Sequence, residues 1–123
     1  MKTVMFVDDE DDVRESVKQL LSKWGYKPIV AKNGYDCLKI LKTEKPDLIL
    51  LDIMMPSMDG WDTCAKIKAD KKTESIPIVF LTAKTDPIST SMGRMASSDY
   101  IAKPFDINDL KKRVESALKK SRK

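Results

Sequence analysis

At 123 residues the chain fits one domain, and folding at that length buries roughly two-thirds of the surface the extended chain exposes. With 41% hydrophobic and 34% charged residues the composition excludes a disordered chain, and apolar runs such as Leu48-Ile49-Leu50-Leu51 are far too short to cross a bilayer. The net charge of +4 gathers near the C-terminus at Lys111, Lys112, Arg113, Lys119, Lys120, Arg122 and Lys123, where cations suit a helix end; no aromatics interleave, so direct nucleic-acid binding is not expected.

Met1-Lys2-Thr3 runs straight into a strand pattern in place of a signal peptide, so a cytoplasmic location without membrane contact is expected. Continuous apolar runs at 4–7, 28–31, 48–51, 76–81 and 100–102 read as strands covered on both faces, the condition of a parallel sheet. The first intervening helix carries Val13, Val17, Leu20, Leu21 and Trp24 on one face and stops at Gly25. Asn33-Gly34 opens a second helix through Leu41, and Asp59-Gly60 opens a third containing Ile67. The last places Ile107, Leu110, Val114, Ala117 and Leu118 on one face, with Asp106 as its cap and Asp109 in the position of a capping box. Five strands alternating with five helices predict a single α/β domain over 1–123, a flavodoxin-like doubly wound parallel sheet whose ligands bind outside the carboxyl ends of the strands. Cys37 and Cys64 stand apart inside helical segments and read as small core hydrophobes.

Chemistry-bearing residues collect where that rule directs attention. Asp8 and Asp9 follow the first run, Asp52 the third, Thr82 the fourth and Lys103 the fifth. If the first and third strands are neighbours, three carboxylates meet in one cleft, and their repulsion calls for a cation. An all-oxygen donor set in a chain without histidine suits Mg²⁺ and not zinc. A single aspartate at the sheet centre, Asp52, is then the candidate nucleophile toward phosphorus, with Lys103 as a point charge and Thr82 as a hydroxyl donor to phosphoryl oxygens. Taken singly, Asp52 reads as a turn residue, Thr82 as a strand residue, Lys103 as a surface lysine, and Asp11 and Asp12 as acids of a helix start; the joint occurrence at strand ends decides.

Four motifs carry a family resemblance: Val7-Asp8-Asp9-Glu10; Asp52-Ile53-Met54-Met55-Pro56-Ser57-Met58-Asp59-Gly60; Leu81-Thr82-Ala83-Lys84; and Asp99-Tyr100-Ile101-Ala102-Lys103-Pro104-Phe105. In this order they resemble the receiver domains of two-component response regulators over essentially the whole chain. The resemblance implies strand order 2-1-3-4-5, Asp52 as phosphoacceptor from a sensor histidine kinase or phosphotransfer protein, and Asp9 as a direct Mg²⁺ ligand. Asp8 would act largely through water, and the main-chain carbonyl of Met54 would complete the protein ligands. It further implies Lys103 as the phosphate-bridging lysine, Thr82 and Tyr100 as a switch pair, and a cis bond before Pro104. A reader surface on the fourth helix, fifth strand and fifth helix also follows, serving an unspecified output partner or a phosphorylation-dependent dimer. Met54 and Lys84 would flank the path of attacking water and set phosphate lifetime.

This chain departs from the family at Met95-Ala96-Ser97, where relatives commonly carry Ala-Gly-Ala. With Ser89, Thr90, Ser91 and Gly93 nearby, the segment 87–98 reads as a weak helix that phosphorylation orders. The rivals fit less well. A haloacid-dehalogenase-type phosphatase needs Asp-x-Asp after the first strand, where this chain has adjacent Asp8-Asp9, and a flavin module would meet an acidic cleft without a phosphate-cradling loop. A receiver-like domain that only binds partners would not need every chemical residue to be present.

Overall fold

The computed structural model describes residues 1–55, 58–83, 99–103 and 106–120, with the backbone alone described at 82, 83, 99, 100, 102, 103 and 120. Five strands, β1 (Thr3–Val7), β2 (Lys27–Ala31), β3 (Leu48–Asp52), β4 (Ile78–Ala83) and β5 (Asp99–Lys103), form one parallel sheet in the order β2-β1-β3-β4-β5. Helices α1 (Asp11–Lys23), α2 (Gly34–Ile40), α3 (Gly60–Ala69) and a C-terminal helix (Ile107–Lys120) cover it. The strand order is the expected one. The expected helix at 87–98, together with Lys84 and the bond before Pro104, lies outside the described residues.

The sheet divides the apolar core into two layers because successive strand residues point to opposite faces. Val4, Phe6, Leu48, Leu50, Val79, Leu81 and Ile101 pack with Val17 and Leu21 of α1 and Leu110, Val114, Ala117 and Leu118 of the C-terminal helix. On the other face Met5, Val7, Ile49, Leu51, Ile78 and Phe80 meet Cys37, Cys64 and Ile67 from α2 and α3. Both cysteines are buried in the core, as their spacing suggested. Trp61 rests against Phe80 with ring centroids 4.5 Å apart. Burial on both faces explains why the strands read as unbroken apolar runs instead of alternating ones.

Local signals set the element ends. After α1, Tyr26 N donates to Leu21 O and Gly25 N to Ser22 O, the two bonds of a Schellman stop, with Gly25 at φ 92°. Asn33 accepts from Asp36 N at 2.8 Å and Asp59 from Asp62 N at 2.9 Å, side-chain caps worth about 1 kcal/mol each. Asp106 caps the C-terminal helix by accepting from Asn108 N at 2.7 Å. Strand starts fall within one residue of expectation except in β4, which begins at Ile78, not at 76. Ile76 N is turned to Thr73 O, and Pro77 has no N–H to give to the ladder, so it joins β3 only through its carbonyl, which accepts from Ile49 N at 3.0 Å.

Candidate functional site

Strand register places the chemistry-bearing residues along one edge. Val7 pairs with Leu51, and Asp8 N extends the ladder by donating to Ala31 O at 3.1 Å, so Asp8 continues β1 beside the end of β3. Asp52 is the last residue of β3 and pairs with Leu81, and Thr82 is the next residue of β4. Thr82 pairs with Ala102, and Lys103 closes β5 opposite Ala83. Asp8, Asp52, Thr82 and Lys103 therefore occupy the carboxyl ends of four adjacent strands. Tyr100 lies earlier in β5, opposite Phe80.

Pleating settles the direction of the two central carboxylates. Asp8 shares parity with Val4 and Phe6, and Asp52 with Leu48 and Leu50, and all four apolar residues belong to the layer facing α1 and the C-terminal helix. Both aspartates thus leave the sheet on the same side. Both are also buried, Asp8 at 0% and Asp52 at 3% exposure. Two carboxylates withdrawn from water on one face repel and lose hydration, a cost that a cation relieves.

The loop after β1 is closely held. Asp8 Oδ1 accepts from Glu10 N at 2.9 Å, and Asp8 O accepts from Arg14 Nη1 at 2.8 Å. Arg14 also pairs with Asp11. Ligand oxygens of Asp8, Asp9 and Glu10 lie within 4.8 Å of one another. Glu10 thus joins the two acids singled out from the sequence, while Asp52 reaches the same edge from β3. Beyond β3, Met54 N donates weakly to Asp52 Oδ1 at 3.3 Å, and the Met54 side chain is exposed. The donors are oxygen throughout, since the chain has no histidine and both cysteines sit in the opposite core layer; this set fits a hard divalent cation.

Two further contributors were not singled out from the sequence. Gly60 presses α3 against β3: its N donates to Ile53 O at 2.9 Å, and a Cβ built there would stand 2.5 Å from Asp52 O. Arg14 was passed over because a lone arginine on a helix carries no motif; its one signal is a cation near a helix N-terminus, where the dipole disfavours it.

The comparisons with known proteins agree with this architecture. Residues 4–115 match the response regulator receiver domain. The chain belongs to that family. The receiver domain is 36% identical over 98% of its length to the alkaline phosphatase synthesis transcriptional regulatory protein PhoP of Bacillus subtilis (strain 168), covering 50% of that protein. It is 33% identical over 98% of its length to the transcriptional regulatory protein AfsQ1 of Streptomyces coelicolor, covering 52%. It spans about half the length of the curated relatives it matches. Among solved structures, the signal receiver domain of a signal transduction histidine kinase from Syntrophus aciditrophicus superposes with a TM-score of 0.91 at 28% identity, covering 100% of this chain and 94% of that one. Among the described residues, no helix is long and apolar enough to cross a membrane.

Proposed function

We propose that this receiver domain is a cytoplasmic phosphoacceptor, in which Asp52 takes a phosphoryl group from a sensor histidine kinase or phosphotransfer protein in a Mg²⁺-dependent reaction. The observation that carries the reading is the burial of Asp8 and Asp52 on one side of the sheet, at the strand-end edge that also holds Thr82 and Lys103. In the transfer, the bond from phosphorus to a kinase histidine nitrogen breaks as one to an Asp52 carboxylate oxygen forms, and the leaving imidazole keeps its ring proton. Asp8, Asp9, Asp52 and the carbonyl of Met54 would hold Mg²⁺, which neutralises charge on the phosphoryl oxygens when bound.

The chain's own groups take the remaining roles. Lys103 is assigned the charge that pairs with the phosphoryl oxygens, and Thr82 the hydroxyl donor, both from their positions on β5 and β4. Adding roughly −1.5 to −2 charges at Asp52 would draw Thr82 inward and free space for Tyr100, changing the face that meets an output partner or a second copy. On this reading the domain is a signalling switch and not an enzyme turning over small substrates. Acetyl phosphate with Mg²⁺ should add one phosphoryl group, seen as an intact-mass increase, and Asp52→Asn should remove it. Labelling of Asp52→Asn at the wild-type stoichiometry would reject the assignment.

A further inference from the structure

We infer that Arg14 is a positioning residue for the cation site, fixing through the main chain the direction in which Asp9 leaves the loop. The inference rests on the Mg²⁺ reading above. Arg14 sits in the first turn of α1, where a cation opposes the helix dipole, and its side chain is only 17% exposed although its head group is charged. Helix formation does not favour that placement, and ordering so long a side chain costs rotamer freedom. What the guanidinium gains is the Asp8 carbonyl at 2.8 Å through Nη1 and the Asp11 carboxylate through Nη2.

The carbonyl bond is the consequential one. Asp8 O belongs to the peptide unit that joins Asp8 to Asp9, and that unit is planar. Asp8 is already held at N by Ala31 O and at Oδ1 by Glu10 N. Holding its carbonyl as well fixes the plane and with it the position of the Asp9 Cα. The bond from Glu10 N to Asp8 Oδ1 restrains the next peptide, and together they limit rotation at Asp9 and the direction in which its side chain departs. Arg14 also brings positive charge to a run of five acids, Asp8 to Asp12, and so offsets part of their mutual repulsion. Charge alone would make Arg14 a competitor of Mg²⁺, and its removal would tighten binding. Positioning predicts the opposite sign, and in that direction the structure points, because the guanidinium bonds a carbonyl and Asp11 and leaves the Asp9 carboxylate to the cation.

The test is calorimetric Mg²⁺ titration of the wild type, Arg14→Gln, Arg14→Lys, Asp11→Asn and Asp9→Asn, with urea midpoints measured in EDTA. Arg14→Gln and Arg14→Lys should each raise the Mg²⁺ dissociation constant about tenfold, the usual cost of losing a group that orients a metal ligand. The lysine variant keeps the charge but cannot span both partners, so it should not rescue. Asp11→Asn leaves Arg14 tethered on one side and should give a smaller loss, which keeps the test open if an Arg14 variant does not fold. Unchanged or tighter binding in Arg14→Lys and Asp11→Asn overturns the inference, as does a loss that merely follows the unfolded fraction in EDTA. Absence of Mg²⁺ binding by the wild type overturns the cation reading and this inference together, whereas wild-type binding lost in Asp9→Asn but intact in the Arg14 variants overturns this inference alone.

Discussion

Replacing Gly60 by alanine adds one carbon at the tightest packing point between α3 and the sheet. The new Cβ would lie 2.5 Å from Asp52 O and 2.7 Å from Ile53 Cα, against an ordinary contact of about 3.5 Å or more. Both obstacles are main chain, and Ile53 N is pinned to Leu81 O at 3.1 Å, so relief requires α3 to withdraw by about 1 Å. Withdrawal strains the bond from Gly60 N to Ile53 O, worth about 1 kcal/mol, and overpacking adds about 1–3 kcal/mol. Alanine's better helix propensity returns up to about 1 kcal/mol, leaving a net loss of about 2 kcal/mol. In urea this should lower the midpoint by about 1 M with an unchanged slope. Acetyl phosphate labelling of the folded variant should also slow, because the crowded carbonyl is that of Asp52 and any yielding on the β3 side shifts that residue. A midpoint within about 0.2 M of wild type would refute the steric argument. Gly25→Ala is the contrast: no atom lies within 4 Å of its Cβ, so its expected loss of about 1–2 kcal/mol comes from the left-handed φ alone and should leave labelling unchanged.

Burial pushes the Cys37 thiol up to about 12 with added repulsion from Asp36, so native protein at pH 8 should resist a thiol reagent that labels it at once in urea. Because the folded state holds this proton more tightly than the unfolded chain, at 9.0, the contribution is fully present below pH 9 and is lost between pH 9 and about 12; Cys37→Ser should flatten that alkaline fall in a urea series, and an unchanged fall would refute the assignment. Thr73→Val removes a buried bond from Thr73 Oγ1 to Ile67 O at 2.7 Å and should cost about 1–2 kcal/mol in thermal unfolding; no loss would mean that the carbonyl finds another donor. Lys68→Met removes Nζ bonds to Glu74 O at 3.0 Å and Ile76 O at 2.8 Å, and should lower the melting temperature by a few degrees. Melting at the wild-type temperature would show that solvent replaces both bonds.

The fold was legible because period and punctuation agreed. Apolar runs such as 48–51 are too short for a helix and suit a strand buried on both faces, and Asn33, Asp59 and Asp106 stand where caps are needed. The candidate site was legible through residue type at strand ends, since a carboxylate such as Asp52 at the close of an apolar run has no packing reason to be there. The rest depends on contacts between neighbouring elements that no residue pattern announces. Gly60 reads only as the opening of a helix until α3 is seen against Asp52 O, and Arg14 carries no reading until its head group is found on Asp8 O. The start of β4 is not legible, because Ile76 is as apolar as a strand residue, yet its N–H serves the turn from Thr73.

The sheet works as a partition as well as a platform. Apolar side chains of the α1 side and of the α2–α3 side do not share a compartment, so volume changes in one should combine additively with those in the other. Asp8 and Asp52 project into the first compartment only. Apart from Gly60, whose backbone abuts Asp52, the apolar packing beneath α2 and α3 can therefore be redesigned, or drift over generations, with little disturbance to the acids, whereas each substitution on the α1 side is made in the room where they stand.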